Sequence, residues 1–219
     1  MSTCHFFIFV VYYVYKRISL GKECKSILHH LKRWDRSLLL WMQEHLRKGG
    51  VTLFMKITTF LGNGGIIWIA ACLCLLFRPE ARRAAASGLI SLLFSVMINN
   101  AMLKNLVARI RPFDHIHELK ILIRRPKDFS FPSGHTSSSF AVATVFLCML
   151  PLWIGISALL LASLIAFSRL YLGAHYPSDV LCGMLLGILF AFLAQILVHV
   201  LLDNCTWMPE AIRLWFPKA

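Results

Sequence analysis

Negative charge is scarce in this chain. Ten Asp and Glu residues face 23 Lys and Arg over 219 residues, a formal net charge of +13. Charged residues of both signs together make up 15%, against about 25% in an ordinary soluble domain. With hydrophobic residues at 58%, too few polar side chains remain to cover a water-facing surface, and intrinsic disorder is excluded for the same reason. Paired cysteines are missing as well. The seven cysteines, at 4, 24, 72, 74, 148, 182 and 205, repeat no C-x-x-C spacing, which argues against a zinc site or a disulfide framework. A mean hydropathy of +0.68 leaves an integral membrane protein.

What is abundant is apolar length. Segments near 53–77, 84–106, 135–150, 152–171 and 178–202 each approach or exceed the roughly 17–25 residues of a spanning helix. Lipid offers no hydrogen-bond partners, so such segments satisfy their backbone internally as helices. An aromatic run at 6–15 is too short to cross comfortably, and it lacks the basic start and A-x-A site of a removable signal peptide. Residues 16–36 are strongly basic. From Trp34 to Leu46, apolar residues recur at helical spacing, with Asp35, Arg36, Gln43 and Glu44 between them. That pattern predicts an amphipathic helix in the interface, with Trp34 and Trp41 as belt residues. The expected fold is all-α: a polytopic bundle of five to six membrane helices plus an interfacial N-terminal helix. Gly62, Gly64 and Gly65 fall within the first span and read as close helix packing.

A basic excess attracts nucleic acid, anionic lipid or an anionic substrate. Nucleic acid is not expected, because the apolar spans leave no sizeable soluble module for it. With five spans, loops 107–134 and 172–177 emerge on one face, and three clusters gather there. They are Lys104 through Arg111-Pro112, then Phe131-Pro132-Ser133-Gly134-His135, then Ser168-Arg169 followed by His175 and Asp179. Lys104, Arg111 and Arg169 repel one another unless an anion joins them, and a guanidinium fork matches phosphate oxygens. Ser133 and Gly134 would place backbone N–H groups at a helix N-terminus, a ready anion site. His135 and His175 titrate near neutral pH. Asp179 is the only carboxylate between Asp128 and Asp203, and by accepting the N–H of His175 it would fix that ring's tautomer.

Each residue alone has a plainer reading, as a snorkelling cation, a helix cap or a loop histidine. Seven polar residues on one face do not. The other loop cations (Arg109, Lys120, Arg124, Arg125, Lys127) read first as solvated charges and second as ligands of a second phosphate. Asn99 and Asn100 read as interhelical hydrogen-bonding groups. His115 and His117 lack a cluster of carboxylates and make a poor metal site.

Lys-x6-Arg-Pro, Pro-Ser-Gly-His and Ser-Arg-x5-His-x3-Asp, in that order over 104–179, resemble the tripartite signature of the type 2 phosphatidic acid phosphatase superfamily. The resemblance implies one integral-membrane phosphatase domain over 1–219, with a basic interfacial segment at 1–50, a helical core at 51–202 and a tail at 203–219. It implies that His175 attacks phosphorus, that Asp179 orients it, and that His135 acts as acid and then base. Lys104, Arg111, Ser133, Gly134 and Arg169 would hold the phosphate oxygens, with no metal or other cofactor. The implied partners are a lipid phosphate substrate and membrane lipids, with undecaprenyl diphosphate favoured. Phosphatidylglycerophosphate or phosphatidate is the alternative, and a non-enzymatic scaffold or transporter with a basic mouth is a third reading. The resemblance also places the chain in a bacterial plasma membrane with its site outward. The charge count opposes that orientation, because nine Lys and Arg lie in 16–48 on the same face as the motifs.

Overall fold

Apolar runs that find no hydrogen-bond partners in lipid close their backbones within helices. The computed structural model, which describes residues 22–204 and 209–217, follows that rule throughout. The aromatic run at 6–15 lies outside the described residues. Helix α1 is Lys22–His45, α2 is Gly49–Leu61, α3 is Ile66–Leu76 and α4 is Arg82–Phe94. A π-helical stretch, Ser95–Leu103, carries α4 into the single turn α5, Lys104–Val107. Next come α6 (Pro112–His115), α7 (Gly134–Met149), α8 (Leu152–Tyr171), α9 (Pro177–His199) and α10 (Glu210–Trp215). No strand occurs among the described residues.

Three helical runs are long and apolar enough to cross a membrane: Pro79–His115, Leu152–Tyr171 and Pro177–Asp203. The pair α2 and α3 passes together as a fourth, bent by 45° at its break. Helix α7 was expected to span and has only 16 residues. Its position explains its composition. Every residue from Thr136 to Phe146 is buried, so the serines at 137–139 meet protein and not lipid. Ser137 accepts from Ser95 at 3.0 Å, and Ser139 accepts the indole N–H of Trp68 at 3.0 Å. Small residues bring the helices close: a Cβ on Gly155 would lie 2.4 Å from the Leu147 Cα.

Two sequence expectations change. The glycines after Leu61 do not pack inside a straight span but break it, since Gly64 and Gly65 adopt φ of 60° and 69°. The buried stripe of α1 is Leu28, Asp35, Leu39 and Met42, so Asp35 points inward and not to solvent. Trp34 and Trp41 are exposed on the flank of that stripe. α1 lies across the loop after α6: Arg36 pairs with Glu118 at 2.9 Å, and Gln43 donates to the Glu118 carbonyl at 2.9 Å. At the other end of the bundle, Arg83 pairs with Asp203 at 2.8 Å and Arg82 stacks on Trp215 at 4.2 Å.

Candidate active site

Ala108, with φ of 47°, stops the helical run one turn after Lys104 and sends the chain into an extended segment carrying Arg109 and Arg111. The first turn of α7 supplies Gly134 and His135, the last turn of α8 supplies Arg169, and the following loop supplies His175. These elements enclose a cavity of about 650 Å³. Six of the eight expected residues line it: Lys104, Arg111, Gly134, His135, Arg169 and His175. Ser133 and Asp179 stand behind the wall. The Ser133 N–H donates to the Asp179 carbonyl at 3.2 Å and its hydroxyl pairs with Thr136 at 2.9 Å, so neither group is offered to a ligand as expected.

His175 is 1% exposed. Its Nδ1 lies 2.7 Å from the Ser130 carbonyl, which can only accept, so Nδ1 carries the proton. Nε2 then bears the lone pair, facing Nη1 of Arg111 at 3.3 Å. Burial pushes the ring well below the ordinary histidine range, and Arg111, Arg169 and Lys104 push it further, against the Ser130 carbonyl. A neutral imidazole with its bare nitrogen in a cationic cavity is a nucleophile ready for an anion's phosphorus.

The expected hydrogen bond from His175 to Asp179 is not made. The carboxylate stands 3.7 Å from Nδ1 and accepts instead from Arg109, from the Ser130 hydroxyl and from the Tyr176 N–H at 3.0 Å. Ser130 therefore joins the two, with its hydroxyl on Asp179 and its carbonyl on His175. Arg109 is neither a solvated charge nor a phosphate ligand. It is buried, donates to Asp35 at 2.7 Å and to Ser178 at 2.7 Å, and lies 3.9 Å over the Tyr176 ring. Asp35 in turn accepts from the Ser178 N–H at 2.9 Å and hydroxyl at 2.6 Å. Burial raises the Asp35 carboxyl despite the pull of Arg109.

The cations of the cavity are held differently. Lys104 and Arg111 both pair with Asp128, whose side chain is half exposed, Arg111 at 2.7 Å. Burial alone would raise that carboxyl, but the two cations hold it well below the usual carboxylate range. Arg169 is 3% exposed, donates to Thr59, and keeps its Nε without a hydrogen-bond partner. His135 Nε2 is 2.9 Å from Asn63 Oδ1. Among the described residues, no three His, Cys, Asp or Glu side chains gather as a metal site. Sequence reasoning missed Asp35, Asn63, Asp128 and Ser130. Only Asp35 carried a signal, as a lone acidic residue among the cations of 32–36.

Comparison with known proteins shows the family. Residues 84–202 match the family described as the PAP2 superfamily. An undecaprenyl-diphosphatase from Sulfolobus acidocaldarius is 32% identical over 140 residues, covering 63% of this chain and 68% of its own length. The crystal structure of LpxE from Aquifex aeolicus superposes with a TM-score of 0.64 at 25% identity, over 72% of this chain and 92% of that one. A transmembrane PAP2-type phosphatidylglycerolphosphate phosphatase from Bacillus subtilis shares the fold, with a TM-score of 0.61 at 22% identity over 94% and 98% of the two chains. The match covers more than half of the sequence, and the chain belongs to the PAP2 superfamily, among its membrane lipid phosphatases.

Proposed function

We propose that this enzyme hydrolyses a lipid-linked phosphate or diphosphate, with undecaprenyl diphosphate favoured, through a phosphohistidine at His175. One observation carries the reading: the buried guanidinium of Arg169, without a partner at Nε, lines the same cavity as His175, whose Nε2 is bare. A buried cation with an unspent donor is costly unless an anion completes it. In the scheme, Lys104, Arg111 and Arg169 hold the phosphate oxygens while Nε2 attacks. Nδ1–H keeps donating to the Ser130 carbonyl, which supports the cationic phosphohistidine ring. His135 protonates the leaving oxygen and then activates water. Gly134 makes room for the Asn100 amide, whose Oδ1 would stand 2.9 Å from a Cβ there, Ser133 fixes the first turn of α7, and Asp179 acts on His175 through Ser130.

The carrier-lipid substrate is favoured by the similarity to the undecaprenyl-diphosphatase. The membrane is a bacterial plasma membrane with the cavity on its outer face, and 51–202 is the catalytic core between an interfacial segment and a tail. Phosphate release by the detergent-purified protein, measured in chelator, tests the reading. Undecaprenyl diphosphate, phosphatidylglycerophosphate and phosphatidate form the panel. Release from the prenyl diphosphate at the highest kcat/KM is expected; release only from a glycerolipid moves the assignment, and release from none removes it.

A further inference from the structure

The bent span ends at the cavity. Between α2 and α3, the turn Gly62-Asn63-Gly64-Gly65 places Asn63 on the cavity wall, where Oδ1 lies 2.9 Å from His135 Nε2. Gly62 makes this approach possible, because a Cβ there would stand 3.1 Å from His135 Cδ2 and 2.7 Å from Ile165 Cγ2. The left-handed pair Gly64 and Gly65 then returns the chain to a helix. No other side chain hydrogen-bonds the His135 ring among the described residues.

We propose that Asn63 is the positioning residue for His135, its side-chain carbonyl accepting Nε2–H and so setting the ring that carries the proton. The proposal rests on the reading of His135 as acid and base. A carbonyl oxygen cannot donate, so Nε2 keeps its proton throughout and Nδ1 becomes the nitrogen that trades one. In the first step, His175 Nε2 bonds to phosphorus, the bond to the leaving oxygen breaks, and that oxygen takes the Nδ1 proton of the His135 imidazolium. In the second, a water oxygen bonds to phosphorus and one of its protons goes to His135 Nδ1. The P–N bond breaks, and His175 recovers its electron pair.

Burial, and then the cations Arg169, Lys104 and Arg111, push His135 well below the ordinary histidine range. The hydrogen bond to Asn63 works against that push, since bonds from a charged donor are the stronger kind, and a bound phosphate offsets the cations. A neutral amide suits this position for an electrostatic reason. The cavity presents Lys56 from α2, Lys104, Arg111, Arg169, and Arg124 and Arg125 at its rim, against Asp128 and the neutral His175. A carboxylate at 63 would add a second anion to compete for those cations, whereas an amide orients the ring without one. The same division of roles occurs in Cys-His-Asn proteases, where an asparagine orients the catalytic histidine.

The test compares Asn63→Ala and Asn63→Asp with the parent in detergent. Two readouts are taken: the pH profile of kcat, and a histidine NMR titration in which His135→Gln assigns the ring. Asn63→Ala is expected to move the His135 titration midpoint and the alkaline limb of kcat to lower pH. It should cut kcat roughly tenfold and leave KM within about twofold. Asn63→Asp, which keeps the shape and adds charge, is expected to move both to higher pH, and it decides alone if alanine disrupts the turn. Midpoints that stay in place, or that rise in Asn63→Ala, overturn the proposal. The NMR titration needs no turnover. A parent that releases phosphate from no lipid therefore sinks the phosphatase reading while the midpoints still judge the contact.

Discussion

Arg111 and His175 meet at 3.3 Å, Nη1 to Nε2, and the meeting sets the chemistry of both. The guanidinium is itself fixed, with Nη1 on the Ala174 carbonyl at 2.7 Å and Nε on the Asp128 carbonyl at 2.8 Å. Since Arg cannot accept, the lone pair must reside on His175 Nε2. The cation proposed to hold phosphate thus also keeps the proposed nucleophile unprotonated beside it.

His175→Ala is expected to abolish turnover and the acid-labile phosphoenzyme, with the fold retained. His135→Ala should slow turnover by roughly 10²–10⁴-fold, least with good leaving groups, because only proton transfer is lost. Rapid-quench detection of phosphoenzyme separates the two. Near-parental turnover by His175→Ala on every substrate would end the phosphohistidine scheme.

The acid side of the pH profile should be displaced. His175 is held well below the ordinary histidine value of about 6.5, so it stays neutral as the solution is acidified through that value. The sign follows from the depressed value: nucleophile is lost only when pH falls through the folded-state titration, below about 6.5. Single-turnover phosphoenzyme formation from a substrate whose leaving group needs no proton from His135 is expected to stay level from pH 7.5 down past 6.5, as follows from rates tracking the deprotonated base. A half-maximal point at the ordinary histidine value would show that the buried ring titrates freely.

Arg109→Lys tests the buried junction of Asp35, Ser178 and Asp179. Lysine keeps the charge but not the fork, so one carboxylate loses its partner. A lost hydrogen bond to a charged group is worth about 1.5–3 kcal/mol, and a fall in kcat of roughly ten- to a hundredfold follows. Asp35→Asn should lower thermal stability with a smaller effect on kcat, since it sits one residue further from His175. Parental kcat in Arg109→Lys would return Arg109 to the class of indifferent loop charges.

Asp128 occupies Lys104 and Arg111, the two cations proposed to hold the substrate phosphate. Asp128→Asn is expected to lower the KM for lipid phosphate and the inhibition constant of inorganic phosphate several-fold, as removal of a competing anion requires. Because its carboxyl is held low, the competition is present from neutral pH down to strong acid, and is lost only as pH falls through that low value. A raised KM would instead make Asp128 the group that orients Lys104 and Arg111.

Orientation is decided by labelling. In a cysteine-free background, His117→Cys on the exposed cavity-face loop is expected to react with a membrane-impermeant thiol reagent on intact cells. Reaction only after lysis would place the site in the cytoplasm and remove the outward carrier-lipid assignment.

The sequence by itself determined the class and the helices, since apolar length requires helices in lipid, and its three motifs picked out Lys104, Arg111, His135, Arg169 and His175, which the fold brings to one cavity. It could not decide which groups those residues touch. Period and spacing report neighbours along one helix, but Asp35 reaches Arg109 across 74 positions and Asn63 reaches His135 across 72. The polar face read for α1 was wrong at Asp35 for the same reason: a carboxylate counts as solvent-facing until a buried guanidinium from another element satisfies it. The glycines after Leu61 read as packing in the sequence, and only the packed bundle shows the break. The tertiary structure also put Ser130 between His175 and Asp179, because the Ser130 carbonyl reaches Nδ1 at 2.7 Å and leaves the carboxylate 3.7 Å away. A hydrogen bond forms with the acceptor that packing brings nearest, and packing is what a linear pattern does not contain.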